Sequence, residues 1–222
     1  MSELGLFETI ATARALRRFY PEPIPPETIS KILQAAISAP SGGNLQDWDF
    51  LVITDPAQRK AVAAIYNKAS QMIRPFYANR VRPAQMTETE HRHLNAAGFY
   101  LYDHMDEAPV LILVCGERRP KREIPAVNPA VLERAATCSR MASIYPAIQN
   151  AILACRALGL GTVLTTNHIL CEAEIKSLLG IPDEIDTFAL MPIGYPRDKF
   201  GPMKRKPVAE VAMHNRWGEA WK

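Results

Sequence analysis

The stretch PVLILVC, from Pro109 to Cys115, is apolar at every position. A continuous apolar run of this length is typical of a strand that is buried on both faces of a sheet. We therefore predict a central strand here. The run is the longest apolar one in the chain, yet it is far shorter than the roughly 20 residues that a membrane span needs. The sequence therefore predicts no transmembrane segment.

Apolar residues at helical spacing lie on both sides of this run. Residues 29–37 carry a stripe at i, i+3, i+4, i+7 and i+8 that stops before Pro40. Residues 138–158 keep the same spacing, and Gly159 or Gly161 can adopt the left-handed conformation that closes a helix. Two helices are therefore predicted, the second of them long and buried.

Shorter signals predict the remaining elements. They are an opening helix over 3–17 ended by the prolines of 21–27, strands over 50–54, 162–165 and 187–193, and a helix over 172–179 stopped by Gly180. Residues 57–107 have an irregular helical pattern with breaks at Pro75 and Pro83. Few strands separated by longer helices indicate an α/β or α+β sandwich whose sheet is covered on both faces.

Length and composition limit the function classes. The 222 residues fit one domain with one core, and 48% of them are hydrophobic. The net charge of +3 is mild and aromatic residues are not interleaved with basic ones, so no nucleic-acid partner is expected. The N-terminus has neither a basic start nor a long apolar stretch, which argues against a secretory signal and for the cytoplasm.

The cysteines and histidines form no metal-ligating pattern. The cysteines are widely spaced without a CxxC pair, so no disulfide framework or metal is expected and each is predicted to fill the core: Cys115, Cys138, Cys155 and Cys171. The five histidines are His91, His93, His104, His168 and His214. They lack the mutual spacing of metal ligands or of a catalytic base, and surface or helix-end positions are expected for most of them.

Two basic clusters are candidate phosphate sites. The first is RALRRF at 14–19, with Arg14 and Arg17 three apart on the predicted helix, and the second is MKRKP at 203–207. A guanidinium can form two parallel charge-assisted hydrogen bonds to a phosphate. Each cluster also has a plainer interpretation, because arginines favour helix C-termini and solvent and a basic tail is usually solvated.

A polar glycine loop, SGGNLQDW at 41–48, lies between a predicted helix and a predicted strand. Its glycines allow the backbone to approach a flat ligand, and the amides of Asn44 and Gln46 can donate and accept hydrogen bonds. An isoalloxazine ring has an edge of this mixed polarity. The alternative is an ordinary connection whose Ser41 and Asn44 bond their own backbone.

The stretch GLGTVLTTN at 159–167 ends a predicted strand with hydroxyl residues just before a helix. Strand ends of open sheets are common ligand sites. The aromatic residues of 57–107 are candidates either for stacking on an aromatic substrate or for the core: Tyr66, Phe76, Tyr77, Tyr100 and Tyr102.

The order of these segments resembles that of the nitroreductase family of flavoproteins. In that family a pattern like RSxR precedes APSxxNxQPW, and QNAILACRALGLGT, LLGIPDE, MPIGYP and KRKP before a final Trp follow here in the family's order. The resemblance implies one FMN-binding domain over 1–222, with 66–107 as a lid or insertion and 197–222 as an extended tail. It also implies an α+β fold with a central mixed, mostly antiparallel sheet covered by helices.

The resemblance further implies a set of site residues. The FMN phosphate would be held by Arg14, Arg17 and Arg205, with only a backbone N–H offered by Ala15. The ribityl chain and ring would be lined by Ser41, Gly42, Asn44 and Gln46, and by backbone of Leu164, Thr165 and Thr166. Family members are generally homodimers with FMN at the subunit interface, so the tail is expected to be exchanged with the partner and anchored by Trp217.

The implied activity is electron transfer from NADH or NADPH to a small acceptor, a nitroaromatic or a quinone, by a ping-pong mechanism. No catalytic side chain and no metal is expected. Three positions depart from the family pattern: Ala15 stands in place of a serine, Asp47 in place of a proline and Met203 in place of a lysine. Two alternatives remain open: a non-catalytic protein that stores FMN, and a flavin-remodelling enzyme of the same fold that consumes its flavin.

Overall fold

The computed structural model describes residues 4–118 and 123–221 of the chain. The helices in this part are α1 (Leu6–Thr12), α2 (Pro26–Ile37), α3 (Pro56–Ala78), α4 (Glu88–His104), α5 (Pro129–Ala157), α6 (Glu172–Leu179) and α7 (Val208–Val211). The strands are β1 (Phe19–Tyr20), β2 (Asp49–Ile53), β3 (Val110–Glu117), β4 (Gly161–Thr162) and β5 (Ile185–Pro196). Three short 3₁₀ helices lie at Gly42–Asn44, Met105–Glu107 and Asn167–Cys171.

The predicted central strand is confirmed. β3 lies between β2 and β5 in a sheet of order β1-β5-β3-β2, and β4 pairs with β5 off this path. Every strand pairing in the described residues is antiparallel. The spacing of helices and strands predicted an α/β or α+β sandwich, and the observed architecture is therefore the α+β one.

Side chains of β3 alternate between two cores. Val110, Ile112 and Val114 pack into the cluster formed with α2 and α5. Leu111 and Leu113 pack into the cluster formed with α3, α4 and α6. Helices cover both faces of the sheet, which explains why β3 is apolar at every position rather than alternating.

The clearest periodic segments fold as predicted. α2 contains the whole stripe of 29–37 and ends before Pro40, while α6 ends at Leu179 with Gly180 in the left-handed conformation at φ 66°. Gly159 follows α5 with φ 74°. α5 begins nine residues earlier than the predicted 138, because Asn128 accepts a hydrogen bond from the N–H of Ala130 and Pro129 occupies the first helical turn.

The predicted opening helix is wrong in its second half. α1 ends at Thr12 and the chain continues without helix through residues 13–18. The N–H of Leu16 bonds the carbonyl of Thr162 instead of a helical partner, so a tertiary contact replaces the helical one. Arg14 and Arg17 therefore do not share a helical face.

Three smaller predictions are also corrected. Pro75 lies inside α3 rather than breaking it, and the last turn is closed by Asn79, whose backbone and side-chain N–H groups both donate to the Pro75 carbonyl. The strand predicted over 162–165 is reduced to β4 and one bridge from Thr165 to Leu190. Cys138 is exposed on α5 rather than in the core.

Within the part of the chain described, no helix combines the length and apolar character needed to span a membrane.

Candidate functional site

The arginine segment and the end of β4 lie side by side. The N–H of Leu16 donates to the carbonyl of Thr162 at 3.1 Å, and a Cβ placed on Gly161 would lie 3.1 Å from the Cβ of Leu16. This close approach depends on the missing side chain of the glycine. Two segments that the sequence marks separately as ligand sites are therefore brought together.

Two arginines of this segment have no carboxylate partner among the residues that the structure describes. Arg14 is exposed and Arg17 is half-buried, and neither forms an ion pair within residues 4–118 and 123–221. Burial is the main cause that lowers the pKa of Arg17, and the like charge of Arg14 lowers it further. Tyr66 and Tyr102 interact electrostatically with Arg17 and oppose this shift. The pair is a donor set suited to an anion.

We call residues 164–167, which follow β4, the strand end. Thr165 is half-buried, and its hydroxyl lies 2.8 Å from the hydroxyl of Tyr66. Its backbone exchanges two hydrogen bonds with Leu190 of β5, at 3.2 and 2.9 Å. Thr166 is exposed, whereas Leu164 packs against the α2–α5 core. Of these three residues, Thr166 is therefore the one whose side chain is exposed.

The glycine loop is fastened to α5 through its backbone. The N–H of Gly42 donates to the Ser143 hydroxyl at 3.1 Å, and the Ser41 hydroxyl accepts from the N–H of Gln46 at 3.0 Å. Trp48 anchors the end of the loop in the α2–α5 core. The local bonding expected of an ordinary connection is present, but the side chain of Asn44 is left exposed.

Two polar residues of this loop have a left-handed backbone. Asn44 has φ 54° and Gln46 has φ 51°, a region that L-residues other than Asn and Asp seldom adopt. Gln46 is exposed, so core packing does not explain the conformation. Backbone strain at an exposed polar residue is a reason to look for a ligand, because such strain clusters at binding sites.

The guanidinium of Arg205 bonds to its own neighbours in the tail. It donates to the Met203 sulfur at 2.8 Å and to the Lys204 carbonyl at 2.9 Å. The tail nevertheless starts beside the site, since the nearest heavy atom to a Cβ on Gly201 would be Nη1 of Arg14 at 4.0 Å. Arg205 is four positions after Gly201, a span of at most about 14 Å. A phosphate contact by Arg205 stays a prediction.

The aromatic residues proposed for substrate stacking divide into two groups. Tyr66 and Tyr102 are buried in the core between the sheet and α3, so they are not stacking platforms. Tyr100 stacks on His104 and donates to Glu107, while Phe76 packs edge-on against Tyr77 and stays exposed.

Several polar residues near the strand end were not found from the sequence. Asn167 donates to the hydroxyl of Ser70 at 3.1 Å, and Ser70 is completely buried on α3. His168 is also completely buried, with Nε2 3.2 Å from the Thr187 hydroxyl, and is an exception to the surface or helix-end positions expected for most histidines. Burial lowers the pKa of His168 to about 4. These partners are distant in sequence, so no local spacing indicates them.

The eleven predicted site residues thus fall into three places. Beside the β4 end lie Arg14, Ala15, Arg17, Leu164, Thr165 and Thr166; in the loop on α5 lie Ser41, Gly42, Asn44 and Gln46; and in the tail lies Arg205. In the described residues no group of His, Cys, Asp and Glu side chains could hold a metal ion.

The arrangement matches a known family. A sequence profile described as the Nitroreductase family matches residues 10–195, which include the arginine segment, the loop and the strand end. The chain belongs to the nitroreductase family. Its sheet and helices have that family's fold.

The names of individual relatives indicate different activities. The chain is 28% identical to iodotyrosine deiodinase 1 of Rattus norvegicus over 218 residues, covering 95% of this chain and 70% of the relative. It is 29% identical to an NADH dehydrogenase of Thermus thermophilus over 203 residues, covering 90% and 91%. A solved iodotyrosine deiodinase bound to FMN and 3-iodo-L-tyrosine aligns with TM-score 0.67 and 26% identity, covering 96% of this chain and 99% of that one.

Proposed function

We propose that this nitroreductase-family chain binds FMN and transfers electrons from NADH or NADPH to a small organic acceptor such as a nitroaromatic or a quinone. The observation that carries the proposal is the position of Arg14 and Arg17, two guanidiniums without an ion-pair partner in the described residues, beside the hydroxyl-bearing strand end. The relative whose structure holds FMN aligns over nearly the whole chain, which supports the same cofactor here.

The residues present fit FMN in charge and shape. A phosphate dianion requires positive donors, and Arg14 and Arg17 have no carboxylate to compete for them in the described part of the chain. The flat ring requires a surface without bulky side chains, and Gly42 is exposed in the separate loop on α5. A Cβ at Gly42 would meet only the Ser139 and Ser143 hydroxyls, at 3.7 and 3.8 Å.

The chain's own residues would act by binding and orientation. Arg14 and Arg17, with the N–H of Ala15, would hold the phosphate. Asn44 and Gln46 would bind the polar edge of the ring. Thr166 would offer its hydroxyl and N–H from the strand end. FMN, when bound, supplies reversible two-electron transfer. Because the donor and the acceptor would use one site in turn, ping-pong kinetics are expected.

The exposed apolar side chains of the tail support a homodimer. Trp217 is 92% exposed and Trp221 is 54% exposed, although the tail is folded by α7 and by pairing of Met213 with Ala220. Phe7 on α1 is 84% exposed. Large aromatic side chains left in water are typical of surfaces that bind a partner. A second copy that receives the tail would cover them.

The test of this function is the visible absorption spectrum of the purified protein. We expect a flavin spectrum after reconstitution with FMN, and its loss when NADH or NADPH is added without oxygen. Return of the spectrum on addition of a nitroaromatic or quinone would complete the cycle. Bound flavin that neither nucleotide reduces would contradict electron transfer and favour an FMN-storing protein. Flavin consumed during aerobic turnover would favour the remodelling alternative.

A second candidate is reductive removal of iodide from an iodophenol. The similarity to iodotyrosine deiodinase over 95% of this chain favours it. The carbon–iodine bond would accept two electrons and one proton and release iodide. Chemically reduced holoprotein mixed anaerobically with 3-iodo-L-tyrosine tests this candidate. Reoxidation with release of iodide is the expected result, and a spectrum that stays reduced would exclude this substrate.

A further inference from the structure

One face of α3 holds the strand end at two points. Tyr66 and Ser70 are four residues apart, so their side chains lie one helical turn apart on the same face. The Tyr66 hydroxyl lies 2.8 Å from that of Thr165, and the Ser70 hydroxyl accepts from the Asn167 side chain at 3.1 Å. Thr165 and Asn167 are the two neighbours of Thr166. We call Tyr66 and Ser70 the α3 clamp.

Thr166 itself takes no part in these contacts. It is exposed and precedes the 3₁₀ helix Asn167–Cys171, yet its side chain does not cap that helix. Its carbonyl accepts from the N–H of Ile169 at 3.1 Å, and the preceding residue is fixed to Leu190 through both backbone groups. The peptide is therefore immobilised while the hydroxyl is left facing outward.

Simple packing does not explain the polar character of the clamp. Tyr66 lies in an apolar cluster with Val62, Leu101 and Leu111, and Ser70 is completely buried. Phe and Ala would fill these positions without a buried hydroxyl, whose burial costs free energy unless it is hydrogen-bonded. A satisfied polar network instead selects one arrangement of the groups it joins. Here the group joined to α3 is the peptide that carries Thr166.

We propose that Tyr66 and Ser70 are positioning residues of the flavin site, which hold Thr165 and Asn167 so that Thr166 presents fixed hydrogen-bond donors to the ligand. This rests on the proposed function, because the ligand is taken to be FMN. Reduction adds negative charge to the flavin ring, and preorganised donors stabilise developing charge better than mobile ones. The clamp therefore favours binding of reduced over oxidised FMN.

The experiment compares Tyr66→Phe, Ser70→Ala and the double variant with Tyr20→Phe. Tyr20 is an exposed tyrosine on β1, so its variant removes the same hydroxyl away from α3. Amide hydrogen exchange at Thr165 and Ile169 is measured in the apoprotein, and the affinity for FMN and its reduction potential are measured in the holoprotein. Thr165→Val removes the 2.8 Å contact from its other side and serves if Tyr66→Phe folds poorly.

We expect faster exchange at both amides in the clamp variants. The double variant is expected to lower the affinity ratio of reduced to oxidised FMN about tenfold, which corresponds to about 30 mV for a two-electron couple. Thr165→Val should shift the potential as Tyr66→Phe does, and Tyr20→Phe should shift neither quantity. Unchanged exchange and potential in the clamp variants would overturn the inference. If the wild-type protein binds no FMN, the proposed function fails. Faster exchange in the clamp variants would then still show that Tyr66 and Ser70 hold the peptide, but would refute their role in a flavin site.

Discussion

A Cβ on Gly116 would lie 2.7 Å from the carbonyl oxygen of Asp47. Gly116 is near the end of β3, and Asp47 belongs to the glycine loop on α5. The central strand thus packs closely against the backbone of this candidate FMN-binding loop. This close packing is possible only because residue 116 has no side chain.

Gly116→Ala is therefore expected to displace the loop. The added methyl group would also lie 3.3 Å from Phe188 and 3.4 Å from Ile144, so it has no room on the other side. Overpacking of this kind lowers the free energy of unfolding by about 1–3 kcal/mol. Urea unfolding of the apoprotein and an FMN titration measure the two effects, and we expect weaker FMN binding as well as lower stability.

Gly98→Ala is the matched control. Gly98 lies inside α4, and no heavy atom would lie within 4 Å of its Cβ. Alanine is a better helix former than glycine, so this change should raise stability by up to about 1 kcal/mol and leave FMN binding unchanged. Equal effects of the two substitutions would contradict the role assigned to Gly116.

Stability should fall in mild acid because of His168. Burial lowers the pKa of this residue to about 4, against 6.5 for the unfolded chain, and nearby Glu172 opposes the shift only in part. The unfolded state therefore binds a proton between pH 6.5 and 4 that the folded state does not. The free energy of unfolding is therefore unaffected by protonation of His168 above pH 6.5. It falls by roughly 3 kcal/mol as the pH is lowered from 6.5 to 4.

The measurement is the difference in unfolding free energy between wild type and His168→Gln at several pH values. This difference should change across the window from 6.5 to 4, because glutamine does not titrate. His93→Gln, at an exposed position on α4, is the control for the substitution of histidine by glutamine itself. A constant difference for His168→Gln would show that its burial is not what makes the fold sensitive to acid.

For the proposed homodimer, a mixed dimer can tell whether Arg205 reaches the site of its own chain or that of the partner. Arg14→Ala and Arg205→Ala should each remove a charge-assisted hydrogen bond to the phosphate, worth about 1.5–3 kcal/mol, or roughly 10- to 150-fold in FMN affinity. If Arg205 acts on the partner, a dimer of one variant of each kind has one site with both changes and one intact site.

We therefore expect mixing of the two variants to restore wild-type affinity at half the sites of the mixed dimer. FMN titration of the dimer, purified with two different affinity tags, measures this. Uniformly weakened sites would place Arg205 in its own chain's site. Wild-type affinity in both single variants would remove the phosphate assignment.

Gln46 is expected to lower the stability of the fold while it contributes to FMN binding. Its left-handed backbone, at φ 51°, strains a residue that has a Cβ, so Gln46→Gly should raise the free energy of unfolding by about 1 kcal/mol. Loss of the amide should weaken FMN binding at the same time. Gln149→Gly, at an exposed position within α5, is the control and should lower stability by about 1 kcal/mol. A destabilised Gln46→Gly would show that the conformation is not strained.

Local patterns identified most elements because they depend on neighbours in the chain. The apolar run of β3 and the stripe of α2 require burial wherever they occur, and Gly180 ends α6 by its own conformational freedom. The candidate ligand segments were recognisable for the same reason, since arginines, glycines and hydroxyls have binding chemistry of their own. The prediction for residues 13–17 was wrong because a distant carbonyl, that of Thr162, takes the hydrogen bond that a helix would have used.

What the residues alone decided is the set of groups available for binding: two basic clusters, a polar glycine loop and a strand that ends in threonines. Folding decided which of these groups meet. It placed Arg17 near Tyr66, turned Thr165 inward and Thr166 outward, and buried Ser70 and His168 beneath them. These relationships join residues that are far apart in the chain. They depend on how α3 and the strand end pack against the same sheet, which no local spacing encodes.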